Sequence, residues 1–434
     1  MDLSDRLQVG FDFSLKKVSL CLLRPDGALL DTHQSFPNSV IGYQQTKTLI
    51  MQALAEQHLQ GVDLAGEATS YYWLPFFINL AQDPDLAPFD PRPFLLNPGW
   101  VKWYKKSFPQ DNKTDDSDPY YIADRMRTMT KKVQWEYDPR WLSLRFYTRL
   151  RYHLAQTLVR EKNYFQLLLF LSYSGFAIHP PFSSPFLKVS QHLLSNPELM
   201  DQLSELPVEK LAICLNHLGN NRLKDPQQNA YKLKRALAES FTFDLDLSEP
   251  IQNCLHAVQM LLVSLQEQIT QVDQLITQHV QDNYPEVGWL RSIPGVGLVF
   301  SSGICAEIAG LERFKKVPRW DKKRKRYRSR TMREVEDAVA KFAGLWWPKN
   351  ASGDFEAEEC RMSKKGNPYL RYFVIEAANR MRLHIPSYAR FYRSKYDQAT
   401  KHHHKRALVL TGRKAIGLFV GLLHHQEFYR PEED

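Results

Sequence analysis

The chain runs to 434 residues, 43% of them hydrophobic, with a formal charge of +9 and a pI near 9.1, so two or three domains with real cores are expected. The cationic excess points to a polyanionic partner, nucleic acid first. The longest apolar run, "FQLLLFL" at 165–171, is far too short to cross a bilayer and the N-terminus has no signal pattern, so a cytoplasmic protein with no membrane partner is expected. Cys21, Cys214, Cys254, Cys305 and Cys360 are scattered and odd in number, as ordinary reduced thiols are.

In chain order, the first ~125 residues alternate strand and helix. "RLQVGFDFS" reads as a strand, "KKVSLCLLRPDGALLDTH" as a hairpin turning at Pro25-Asp26-Gly27, and 40–57 as a helix. There follow a strand at "GVDLAGEAT", an aromatic helix near 71–80 and a strand at "RPFLLNP". That order is the order of an RNase H-like domain, though other α/β folds share it. From 126 to 170 the pattern is helical, with Arg145 and Arg149 on a basic face. Residues 174–250 turn towards Pro, Ser and Asn and read as an irregular insertion of short helices.

Ile251, Leu255, Val258, Leu262, Leu265, Ile269, Val272 and Ile276 then recur at alternating spacings of four and three, a coiled-coil seam. Its partner is either a second copy, which is favoured, or the helix before Phe170 in the same chain. "LRSIPGVGLVFSSGICAEIAGLERF" reads as helix, tight turn, helix, where Gly295 and Gly297 let backbone N–H groups approach a phosphate. The run "KKVPRWDKKRKRYRSR" at 315–330 carries too many cations for any core, Lys322, Lys323, Arg324, Lys325 and Arg326 among them. It reads as a nucleic-acid arm whose Trp320 and Tyr327 stack on unpaired bases, against the alternative of a solvated run of charge. His402, His403 and His404 would splay around a helix, which suits a solvated basic patch better than a metal site.

Four acids stand out. Asp12 lies inside an apolar strand and Glu67 ends another, and each position is costly without a partner. Asp115 and Asp118, three apart in "KTDDSD", can turn to one side of a helix start. Together they make an oxygen-ligand set suited to Mg²⁺ or Mn²⁺ and to phosphodiester chemistry. Taken singly, each also fits an edge, turn or N-cap role. Asp116 is assigned to such a cap and Asp26 and Asp63 to turns; Lys113 would neutralise the site or touch a phosphate.

These residues carry a pattern. "GFDFS" with Asp12, "GEAT" with Glu67, and "NP" followed by "KTDDSD" with Asp115 and Asp118 resemble the three acidic motifs of the DEDD transposases of bacterial insertion sequences. That is the one-ten family in insertion-sequence nomenclature, which also takes in Piv-type DNA invertases. "IPGVG", "FAGLWWPKNASG", "MSKKGNPYLR" and "GRK" resemble its second domain, and their cations Lys364, Lys365, Arg371, Arg413 and Lys414 are read as nucleic-acid contacts. The pattern departs from the family at Leu15 and Pro119.

The resemblance implies an α/β plus α architecture in three parts: a RuvC-like (RNase H-like) DEDD domain over 1–128, a helical coiled-coil connector with insertion over 129–288, and a mainly helical transposase domain with a helix-hairpin-helix over 289–434. It implies that Asp12, Glu67, Asp115 and Asp118 hold Mg²⁺ and that Ser352 of "ASG" is a nucleophile forming a phosphoserine link to DNA. The implied partners are a noncoding bridge RNA, donor and target DNA, and further copies in a dimer or tetramer. The enzyme would be cytoplasmic, nucleoid-associated when acting. Competing readings are a metal-dependent RuvC-like nuclease, a Piv-type invertase acting without guide RNA, and a nucleic-acid-binding assembly factor with a degenerate acid cluster.

Overall fold

The computed structural model describes residues 5–108, 118–129, 132–281, 283–317, 319–321, 324–348, 351–352, 355–356 and 362–431, without the side chains of 32–33, 351–352 and 355–356. The protein is mixed α/β, with a small N-terminal sheet and many C-terminal helices. Two units divide it: Met1–Pro139 with Glu312–Thr331, and Arg140–Leu311 with Met332–Asp434.

The first unit is built on β1 (Arg6–Phe13), β2 (Lys17–Leu23), β3 (Leu29–Pro37), β4 (Gly61–Glu67) and β5 (Arg92–Leu96). They form one sheet in the order β3-β2-β1-β4-β5. β1, β2 and β3 run antiparallel in sequence, whereas β1–β4 and β4–β5 are parallel. Gly27 turns the β2–β3 hairpin with φ +95°, and Asp26 accepts from the Ala28 amide at 3.0 Å.

Strand pleating sends Leu7, Val9, Phe11 and Phe13 to one face, where Tyr43, Ile50 and Leu54 of α1 (Val40–Glu56) and Phe76, Phe77 and Leu80 of α2 (Leu74–Gln82) complete the core. Each such buried side chain contributes about 1.5–3 kcal/mol. The opposite face is covered by Val101 of α3 (Pro98–Lys105) and Ile122 and Met126 of α4 (Asp118–Thr128), packed on Ala65, Phe94 and Leu96. Asp63 corrects the expectation of a turn. It is a buried β4 residue held by Arg6 at 2.7 Å, with Lys132 at 3.5 Å.

The second unit begins with the long helix α5 (Pro139–Ser172). Four short helices, α6 (Lys188–Leu194), α7 (Pro197–Glu205), α8 (Val208–Leu218) and α9 (Pro226–Ala238), come next, and α10 (Leu245–Val280) follows them. Ser143 meets His279 at 2.9 Å and Arg151 meets Asp273 at 2.9 Å, so α10 runs back along α5. The end of α5 (Phe165, Leu168, Leu169), the start of α10 (Leu255, Leu262) and α6–α9 share a core. Residues 174–244 thus form a helical cap on the α5–α10 pair, and the last six residues of the expected insertion, 245–250, are the start of α10.

The apolar seam of α10 is filled from within the chain: Leu255, Leu262, Leu265, Ile269, Val272 and Ile276 are all under 10% exposed. Of the two partners expected for the seam, the intramolecular one takes these six positions, while Ile251 and Val258 are partly buried; a dimer zipped along the six buried positions is thereby corrected.

Next come α11 (Pro285–Arg291) and α12 (Leu298–Ile308). The chain then returns to the first unit for α13 (Glu312–Lys315) and the hairpin β6 (Arg319–Asp321)–β7 (Arg326–Arg328). The second unit resumes with α14 (Met332–Phe342), the two-residue strands β8 (Ala351–Ser352) and β9 (Phe355–Glu356), α15 (Pro368–His384), α16 (Pro386–Asp397) and α17 (His403–His425).

Among the described residues α17 alone is long and apolar enough to cross a membrane. Nine of its residues, from Ala407 to Leu422, are buried in the unit and Arg413 and Lys414 sit mid-helix, as befits a core helix.

Candidate active site

The acids are placed by the two parallel strands at the centre of the sheet. Phe11 of β1 pairs with Gly66 of β4, so Asp12 and Glu67 each stand one position beyond that pair, on adjoining strands, about 4.8 Å apart. The pleat turns both towards the face covered by α4, whose first residue is Asp118. Gly10 makes that approach: a Cβ there would fall on the Pro119 carbonyl oxygen and within 2.5 Å of the Ala123 nitrogen. Only a residue without a side chain lets the start of α4 lie this close to β1.

Three acids therefore influence one another. Burial pushes the Glu67 carboxyl up, the Lys105 ammonium opposes that, and the charges of Asp12 and Asp118 push it up further. Lys105, at the end of α3, is ion-paired with Asp118. Asn97 starts α3 by accepting from the Gly99 amide at 2.8 Å, which fixes the helix that delivers Lys105.

The oxygen-only donor set suits a hard divalent cation in kind, and the Lys105 ammonium supplies positive charge to Asp118. Among the described residues, however, no three ligating groups lie close enough to hold one ion. Asp115, Lys113 and Asp116 lie outside the described residues.

Ser352 belongs to the second unit, on β8, where its backbone pairs with Phe355 of β9. The basic residues divide into two groups. Arg324, Lys325, Arg326, Lys364, Lys365 and Lys414 are exposed, while Lys322 and Lys323 lie outside the described residues.

The second group is committed within the unit. Arg149 grips the fully buried Glu307 with two hydrogen bonds of 2.7 and 2.9 Å, and Arg145 donates to the Ala306 carbonyl at 2.9 Å with the Glu307 carboxylate 3.7 Å away. Both arginines thus spend hydrogen bonds inside the unit, and each keeps about a fifth of its side chain exposed. Arg371 donates to the Ala343 and Lys364 carbonyls at 3.2 and 3.0 Å, and Arg413 is ion-paired with Asp337.

In the turn before α12, Gly295 has φ +88° and a Cβ there would come within 2.7 Å of the His384 ring. Gly297 caps α12, and a Cβ there would meet nothing within 4 Å. His403 and His404 bond to the Tyr396 carbonyl and the Tyr392 hydroxyl, at 2.9 and 2.7 Å.

Sequence reasoning missed Gly10, Lys105 and Glu307. Glu307 lies in an apolar helix and ties together elements far apart in sequence. Beside its arginines it accepts from Asn367 at 2.6 Å, and the Asn367 side-chain oxygen caps α15 by accepting from Tyr369 and Leu370 at 2.9 and 3.0 Å. The "GNPYLR" motif is, in this respect, a helix start anchored to a buried carboxylate. Burial alone would raise Glu307, but the Arg149 hydrogen bonds and charge, with Arg145 and Asn367, hold it below the usual carboxylate range.

The class of protein follows from two family models. One, for transposases of the IS110 DEDD type, matches residues 9–173. The other, described as transposase IS116/IS110/IS902 family, matches residues 329–393, and together they span about half of the chain. The chain belongs to the IS110 family of transposases, enzymes that act on DNA by transposition and recombination. No curated protein matches it.

Proposed function

We propose that this transposase cuts and rejoins DNA through a phosphoserine intermediate, guided by a noncoding RNA. The observation that carries the reading is the placement of Asp12 and Glu67 at adjoining ends of the central parallel strands, on the face where α4 begins with Asp118. The sheet order, antiparallel over β1–β3 and parallel over β1, β4 and β5, supports a RuvC-like assignment for the first unit.

Asp12, Glu67 and Asp118, with Asp115, would hold Mg²⁺ or Mn²⁺. When bound, such a cation supplies charge neutralisation at a phosphodiester. The Ser352 hydroxyl attacks the scissile phosphorus, loses its proton and forms a new O–P bond, while the 3′-oxygen leaves and takes up a proton. A 3′-hydroxyl of another strand then attacks the same phosphorus and loses its proton, while the serine oxygen leaves and takes up a proton to restore the hydroxyl. One phosphodiester is broken and one made, so no external energy source is required.

Acids and serine belong to different units of the chain, which suits a composite site assembled from more than one copy. With the α10 seam occupied, association of copies would use other surfaces.

The test incubates the protein with element RNA, donor DNA and target DNA and looks for DNA that stays attached to protein under denaturing conditions. The expected adduct disappears in Ser352→Ala; an adduct that persists in that variant would sink the serine assignment. Cut ends that never become attached would mark hydrolysis by water at the acids, the chemistry of a RuvC-like nuclease. An adduct formed equally well without RNA would point to a Piv-type invertase.

A further inference from the structure

The cationic run of the sequence analysis folds back on itself. β6 and β7 pair antiparallel, with Trp320 directly opposite Tyr327 and Arg319 directly opposite Arg328. Alternation puts the two aromatics on one face of the hairpin and Arg319, Asp321, Arg326 and Arg328 on the other. Of the eight described residues in 319–328, Arg319, Arg324, Lys325, Arg326 and Arg328 are cationic and only Asp321 is acidic.

Like charges directly opposed weaken a strand pair, and an opposed aromatic pair strengthens it. The rings meet edge to face, with centroids 5.0 Å apart, so the pair holds together a hairpin that its charge works against. A purely structural pair would be covered, yet Trp320 is 46% and Tyr327 54% exposed.

An accessible π surface backed by five cations matches a chain of phosphates whose base faces are accessible too. A duplex hides those faces in its stack, whereas an unpaired strand offers them. A protein partner would have to be both strongly acidic and aromatic-binding.

We propose that the β6–β7 hairpin is a stacking clamp for unpaired nucleotides, carried by the same unit as Asp12, Glu67 and Asp118. It is independent of the serine chemistry, since binding can be read without metal and without cleavage.

The experiment uses the full chain and measures binding by fluorescence anisotropy, comparing variants at one salt concentration and repeating the titrations over a salt series. The probes are a labelled single strand of about a dozen nucleotides, in DNA and RNA forms, and a duplex of equal length. In Trp320→Ala/Tyr327→Ala, single-strand affinity is expected to fall about tenfold while duplex affinity changes less than about twofold. Trp320→Phe/Tyr327→Phe keeps ring faces and should retain most of the single-strand affinity. Arg326→Ala/Arg328→Ala should weaken both and flatten their salt dependence. A 2-aminopurine in the strand should be quenched by the native chain and by the Phe variant, not by the Ala variant.

The DNA and RNA arms report which strand the clamp takes. Equal losses on strand and duplex in the Ala variant, or no loss on either, would overturn the proposal, as would a Phe variant indistinguishable from it.

Discussion

Substituting Gly10 by alanine probes the site at the point where its construction is tightest. The added Cβ would lie on the Pro119 carbonyl oxygen, 2.5 Å from the Ala123 nitrogen and 2.9 Å from the Ala123 Cβ, whereas ordinary contact starts at 3.4 Å. Two of those three neighbours are backbone, so no rotamer change relieves them. The start of α4 must back away from β1 by on the order of 1 Å, carrying Asp118 away from Asp12 and Glu67, and a misplacement of that size costs about a hundredfold in rate. Overpacking also costs about 1–3 kcal/mol of stability.

The readouts are formation of the DNA–protein adduct and urea denaturation. Gly10→Ala is expected to remain folded, with a lower midpoint and about a hundredfold less adduct. Adding Ala123→Gly removes one of the three contacts and should restore only part of the loss. A Gly10→Ala protein with native adduct yield and native stability would show that the close approach of α4 does not position Asp118.

Glu307→Ala removes a fully buried carboxylate and leaves the partly exposed Arg149 guanidinium and the Asn367 amide without their acceptor, and should cost about 1–3 kcal/mol in chemical denaturation. Because the folded carboxyl is held below its ordinary value of 4.5, its stabilisation is full above that value and lost as pH falls through the folded one. A Glu307→Gln variant should therefore show a flatter acid limb in a stability–pH profile. Glu67 has the opposite sign: burial raises it, so its stability contribution is present below its ordinary value and lost as pH rises through the folded one. Glu67→Gln should accordingly melt higher than the native chain at pH 7 in metal-free buffer while forming no adduct. Lys105→Ala removes the counter-ion of Asp118 and should lower the melting temperature in chelator while enlarging the gain on adding Mg²⁺; an unchanged Mg²⁺ response would contradict that role.

Much of the first unit was legible because period-two patterns and turn residues are local signals. All five strands of the sheet lie where the sequence puts them, and Asp12 and Glu67 stood out because a carboxylate in an apolar strand demands a reason. Gly10 was illegible because its constraint comes from a helix more than a hundred residues on, which only the fold brings down. The contacts of Arg145 and Arg149 with Glu307 were not legible, because a helical row of cations looks the same whether or not it also meets a buried glutamate. The α10 seam misled similarly: a 3.5-residue period states that a helix is paired but not with what. Asp63, between Val62 and Leu64, has the pattern of a buried strand residue, and only its pairing with Arg6 explains how the charge is tolerated.

The return of Glu312–Thr331 to the first unit sets a timetable for biosynthesis. The polypeptide that carries the acids is made by Pro139, but the last piece of its unit is made only after nearly two hundred further residues, about ten to forty seconds later at ordinary elongation rates. A nascent chain thus holds its carboxylates well before it holds the hairpin, and a fragment ended at Pro139 would lack a native portion of the unit it is meant to represent.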